Sequence, residues 1–125
     1  MFRLFVSLVS ALILAQSMAR AESLASDKVA LVIGMSQYTS ISSLKNTSND
    51  ANALALTLQD IGFGVDVLID GTRDQVIQSL QDFTFRSETA DLALIYFAGH
   101  GVSVQGTTFL IPVDATIRQS QDRSK

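Results

Sequence analysis

Cysteine is absent from the 125 residues, histidine occurs once, and the charges are scattered without a run of one sign. Without cysteine the chain has no disulfide framework, no thiolate zinc or haem motif, and no thiol nucleophile of its own. A single histidine leaves any metal site to be built from carboxylates, and no acidic loop of the calcium-binding type is present. The Gly-x-Ser-x-Gly elbow is also missing, which argues against serine hydrolase chemistry. Gly34 is not followed by further glycines at dinucleotide spacing and no Gly-Lys-Ser/Thr occurs, which argues against nucleotide binding.

What is present begins with an N-terminal segment unlike the rest. Met1, Phe2 and Arg3 precede an apolar run over residues 4–15, interrupted by Ser7 and Ser10 and followed by Ala19, Arg20 and Ala21. The run is shorter than the ~20 residues of a membrane span, and small residues at 19 and 21 suit cleavage after Ala21. Residues 1–21 are therefore expected to be a signal peptide, with an uncleaved membrane-associated anchor as the alternative. An exported protein without stable membrane insertion after cleavage follows from the first reading. Loss of Arg3 and Arg20 leaves 7 of the 9 basic residues against 12 acidic ones, a formal charge of −5, which disfavours nucleic acid as a partner.

Residues 22–27 read as a short tether, residues 28–117 as the folded domain, and residues 118–125 as a polar tail. The continuous apolar run over residues 29–33 suits a strand buried on both faces. Thr47 and Asp50 have capping-box spacing, and Ala51, Leu54, Leu58 and Ile61 form a helical stripe that Gly62 ends. Residues 65–69 make a second strand. Thr72 and Gln75 open a second helix with Val76, Leu80 and Phe83 on its buried side. Residues 92–98, the most hydrophobic run of the folded part, are expected to be the central strand. Strand-helix alternation predicts an α/β fold with a parallel sheet and right-handed crossovers. Residues 102–104 and 107–110 flank Gln105-Gly106 as a hairpin.

In such a sheet reactive groups collect beyond the carboxyl ends of the strands. His100 lies two residues past the third strand, between Gly99 and Gly101. An imidazole there can take and return a proton near neutral pH, and a backbone N–H beside a glycine can approach a developing oxyanion. A turn histidine without chemistry is the alternative. Asp50 is readable as a helix-terminal acid, Asp114 as a loop solubiliser, and Tyr38 and Phe97 as packing residues.

Five segments, in order, resemble the caspase-like cysteine peptidases: Lys28-Val-Ala-Leu-Val-Ile-Gly34, Leu44-Lys-Asn-Thr-Ser-Asn-Asp50-Ala51, residues 58–65, Leu94-Ile-Tyr-Phe-Ala-Gly-His-Gly101, and Phe109-Leu-Ile-Pro-Val-Asp114. The resemblance implies a caspase-like three-layer α-β-α sandwich with a mainly parallel sheet, incomplete at the C-terminus. It implies a cysteine endopeptidase acting on polypeptides through a His/Cys dyad, with His100 as the acid–base residue and the Gly101 N–H as half of an oxyanion hole. The family's cysteine follows a further strand that this sequence does not contain, so the chain is expected to be the N-terminal part of a longer enzyme. A pseudoenzyme serving as a binding or scaffolding module is the alternative. The arginine by which animal caspases select aspartate corresponds to Leu44 here. In the metacaspase branch the helix-entry aspartate lines a pocket for arginine or lysine, and Asp50 matches it. Metacaspases often need calcium, held by acidic residues after the histidine, a region in which the folded part of this chain (28–117) offers only Asp114. No cofactor is expected. A sheet lacking its further strands would expose an apolar edge and self-associate.

Overall fold

The computed structural model describes residues 27–116. The segments expected to be a signal peptide (1–21), a tether (22–27, apart from Asp27) and a polar tail (118–125), together with residue 117 of the expected domain, lie outside them. Three parallel strands, β1 (Lys28–Gly34), β2 (Phe63–Ile69) and β3 (Leu92–Ala98), form a sheet in the order β2-β1-β3. Helix α1 (Thr47–Asp60) links β1 to β2, and α2 (Arg73–Ser87) links β2 to β3. An antiparallel hairpin of β4 (Gly101–Val104) and β5 (Thr107–Leu110) follows.

The first crossover steps from β1 outward to β2, and the second returns past β1 to β3. Two right-handed crossovers running in opposite directions place their helices on opposite faces. The packing shows this. Ala30 and Val32 of β1 lie against Ala51, Ala55 and Leu58 of α1, whereas Val29, Leu31 and Ile33 lie against Val76, Leu80 and Phe83 of α2. Each fully buried Leu, Ile or Val side chain of this kind contributes about 1.5–3 kcal/mol. The α-β-α layering expected from the sequence is therefore present.

The centre of the sheet is β1, however, not β3. Lys28 is in register with both Phe63 and Leu92, so β1 pairs along its whole length on both sides. β3 is an edge strand among the described residues, with Leu92 49% and Ile95 52% exposed. Hydrophobicity measures how much apolar side chain a strand carries. It does not measure how many neighbours its backbone pairs with, and the run in β3 is only partly covered.

The capping-box reading holds for α2, where Thr72 and Gln75 bond reciprocally, and fails for α1. The N-cap of α1 is Asn46, which makes no side-chain cap bond. Its first turn is secured from outside by Ser36, a buried residue just beyond β1. Thr47 Oγ1 donates to the Met35 carbonyl (2.7 Å), so its lone pairs receive the Ser36 hydroxyl (2.8 Å). Ser36 Oγ in turn accepts from the Ser48 hydroxyl (2.6 Å) and the Ser48 N–H (3.2 Å). Donor and acceptor capacity of that hydroxyl are thus fully used. On the inner stripe of α1, Ala55 replaces Ile61, which lies at the C-cap and is exposed. Gly62, at φ +92°, ends the helix as expected.

Candidate active site

The carboxyl ends of β1 and β3 lie side by side at the strand-order switch of the parallel sheet, the place where ligands of such sheets collect. Residues 35–46 leave β1 there, and Gly99 and His100 leave β3 beside them. Both strand ends are tied: Met35 N–H donates to the Ala98 carbonyl (2.8 Å), continuing the ladder one step past the strands.

His100 is held at three points. Its backbone N–H donates to the Tyr38 hydroxyl (2.7 Å). Its carbonyl accepts from Ile111 N–H (3.0 Å), which anchors the base of the hairpin. Its Nε2 lies 2.9 Å from the Ser42 carbonyl. A carbonyl can only accept, so Nε2 carries the hydrogen, and in the neutral ring Nδ1 is left as the lone-pair nitrogen. The Tyr38 ring lies 4.8 Å from the imidazole, centroid to centroid, tilted by 59°.

The peptide joining His100 to Gly101 is trans, so its C=O and N–H point in opposite directions. The His100 carbonyl faces β5 through Ile111, so the Gly101 N–H is directed away from β5. Gly99 is required by close approach: a Cβ there would stand 2.6 Å from the Tyr38 hydroxyl and 3.0 Å from Met35 Cβ. Gly101 is under no such pressure, since a Cβ would meet nothing nearer than 3.4 Å.

Asp50 lies in the first turn of α1, solvent-exposed, at the same carboxyl end of the sheet as His100. Its side chain makes no hydrogen bond or ion pair with the described residues and is not joined to His100. Leu44 is half-buried against the core, and its N–H donates to the Ser36 carbonyl (3.0 Å).

Two readings made from the sequence change, and one residue is added. Tyr38 is more than a packing residue, because its hydroxyl and ring both engage His100. Asp114 is not a solubiliser: its Oδ1 accepts from Arg73 N–H (2.8 Å) at the first turn of α2, where a carboxylate suits the helix dipole. Asp70, which the sequence analysis did not single out, sits at φ +52° and accepts from Ser36 N–H (2.6 Å) and Gln37 N–H (3.0 Å). It pins the start of the loop that carries Tyr38 and Ser42. The Asp70-Gly71 dipeptide was the available signal, since aspartate tolerates the left-handed region better than most residues. Burial raises the Tyr38 phenol above its ordinary value of 10.0, opposed by its bond to the His100 backbone, while the Asp70 charge raises it further.

Among the described residues no cluster of histidine, cysteine and carboxylate side chains could hold a metal ion, and no helix is long and apolar enough to cross a membrane.

The family model described as the caspase domain matches residues 27–123. The chain is similar to the human mucosa-associated lymphoid tissue lymphoma translocation protein 1, at 36% identity over 92 residues. Its homolog in Mus musculus matches to the same extent. The similarity covers 74% of this chain but 11% of the length of each relative.

Proposed function

The chain belongs to the caspase domain family, and on that premise we propose that it is the histidine-bearing part of an exported cysteine endopeptidase that cuts after arginine or lysine. One observation supports the catalytic reading above the others: the Ser42 carbonyl holds the Nε2 hydrogen, which leaves Nδ1 of His100 to move a proton at the sheet's switch point. In the proposed reaction a cysteine thiol, supplied from outside these 125 residues, gives its proton to Nδ1 of His100, and the thiolate so formed attacks the peptide carbonyl. The oxygen takes up the negative charge beside the Gly101 N–H, and His100 delivers a proton to the departing amine nitrogen. A thioester remains. His100 then takes a proton from water, the hydroxide displaces the thiolate, and the acid product leaves. Asp50 offers a carboxylate to a basic side chain on the residue before the cut.

The test uses the full-length protein and peptides ending in arginine, lysine or aspartate before the reporter group. Cleavage of the basic peptides is expected, abolished in His100→Ala and reduced in Asp50→Ala. Equal or better turnover of aspartate-ended peptides would refute the basic preference. Undiminished cleavage by His100→Ala would refute the catalytic role.

The alternative is a caspase-fold scaffold without catalysis. It predicts that the full-length protein neither hydrolyses these peptides nor is labelled by a thiol-directed electrophilic peptide. Export through residues 1–21 predicts a mature N-terminus at Glu22, read by N-terminal sequencing of the secreted or periplasmic fraction. Self-association through the outer edge of β3 completes the proposal, since among the described residues that strand is paired on one side only.

A further inference from the structure

Tyr38 and His100 are 62 positions apart in sequence, yet they meet through two separate contacts. The phenol oxygen accepts the His100 backbone N–H at 2.7 Å, and the phenol ring lies 4.8 Å from the imidazole. The hydroxyl occupies space that any side chain at position 99 would fill, 2.6 Å from where that Cβ would stand. Tyr38 is itself only 8% exposed, and its segment is fastened on both sides. Asp70 holds the N–H groups of Ser36 and Gln37, and Thr39 donates both its N–H (2.9 Å) and its hydroxyl (3.1 Å) to the Val113 carbonyl.

A buried phenol that served only to fill the core would need a partner for its oxygen, but any backbone N–H would do. Here the partner is the amide of the one residue that carries the proton chemistry. The amide bond sets the backbone of residue 100, and the ring limits the plane the imidazole can adopt. Ser42, four residues further along the same loop, then fixes the tautomer.

We propose that Tyr38 is a positioning residue for His100, holding its amide through the phenol oxygen and confining its imidazole with the tilted ring beside it, so that Nδ1 is presented in one orientation. This deepens the catalytic reading of His100 and rests on it for its consequence in rate, but its geometric content is measurable without any turnover.

The experiment compares the full-length protein with its Tyr38→Phe variant, which keeps the ring and removes the hydroxyl. In 15N-labelled protein the His100 backbone amide resonance is expected to move upfield as its acceptor is lost. The imidazole nitrogens are expected to shift from a single Nε2–H form toward a mixture of tautomers. In peptide cleavage, kcat is expected to fall roughly tenfold with KM within about twofold, as for a group that orients the reacting residue without contacting substrate. Reinstating the hydroxyl as 3-fluorotyrosine at position 38 should restore both the imidazole signature and kcat. An unchanged His100 amide and imidazole in Tyr38→Phe would overturn the proposal. If Tyr38→Phe does not fold, the 3-fluorotyrosine protein decides: a weaker acceptor moves the His100 amide proton if the bond exists and leaves it in place if it does not. Loss of cleavage dependence on His100 with these spectral changes intact would remove the catalytic reading alone.

Discussion

Replacing Ser36 with alanine tests how α1 is started. Ser36 is only 4% exposed, and its hydroxyl bonds Thr47, the Ser48 hydroxyl and the Ser48 N–H. Its removal takes away the substitute cap, for which losses of about 1 kcal/mol are typical, and strands the Ser48 hydroxyl and N–H beside a methyl group. A part-buried group left without its partner adds about 1–2 kcal/mol, for a total of about 2–3 kcal/mol. For a domain of this size each kcal/mol lowers Tm by about 4–8 °C, so a fall of about 10–20 °C is expected. The matched control is Asn46→Ala. Asn46 occupies the N-cap position but makes no cap bond, so its loss should change stability by less than about 0.5 kcal/mol. Urea unfolding followed by circular dichroism gives both values from the shift in midpoint at constant slope. A Ser36→Ala loss under about 0.5 kcal/mol, or an Asn46→Ala loss above about 1 kcal/mol, would refute the external-cap argument.

Gly34→Ala would bring a Cβ to 2.7 Å from Ala51 Cβ and 3.1 Å from the Thr47 carbonyl, lifting α1 off the sheet. A loss of about 1–3 kcal/mol is expected in the same urea assay, and a neutral result would mean that α1 is not seated as described. Tyr38 makes stability pH-dependent at the alkaline end. The folded protein holds the phenol proton more tightly than the unfolded chain, so the phenol's contribution is intact below pH 10.0 and is lost as pH rises from there through the raised folded value. The urea midpoint should therefore fall more steeply between pH 9 and 11 in the wild type than in Tyr38→Phe, and parallel profiles would contradict this. Residues 22–125 alone are expected to associate through β3, whose Leu92 and Ile95 are exposed. Sedimentation as a single monomeric species would count against that expectation.

Much of the site could be read along the chain. The apolar run of β1, the Gly99-His100-Gly101 exit from β3 and the Thr72–Gln75 capping box are local patterns, because strand burial, tight strand exits and reciprocal caps depend on residues close together in sequence. The hairpin likewise formed where Gln105 and Gly106, both at positive φ, supply the turn its twist requires. Those patterns determined the α/β class, the place of the one histidine and the resemblance that the family match then bore out.

Tertiary structure decided what rests on partners distant in sequence. β1 took the centre from β3 because α2 carries the chain back across the sheet, and no property of residues 92–98 alone encodes that return. Ser36 caps a helix that begins 11 residues later, Asp114 bonds the start of α2 from 41 residues away, and Tyr38 reaches His100 across 62. Each of these is a short polar bond between groups that only the packed sheet brings together. The sequence by itself singled out His100, and the fold alone decided which nitrogen of its neutral ring keeps the lone pair, because the Ser42 carbonyl reaches Nε2 only once the loop lies across the ends of β1 and β3.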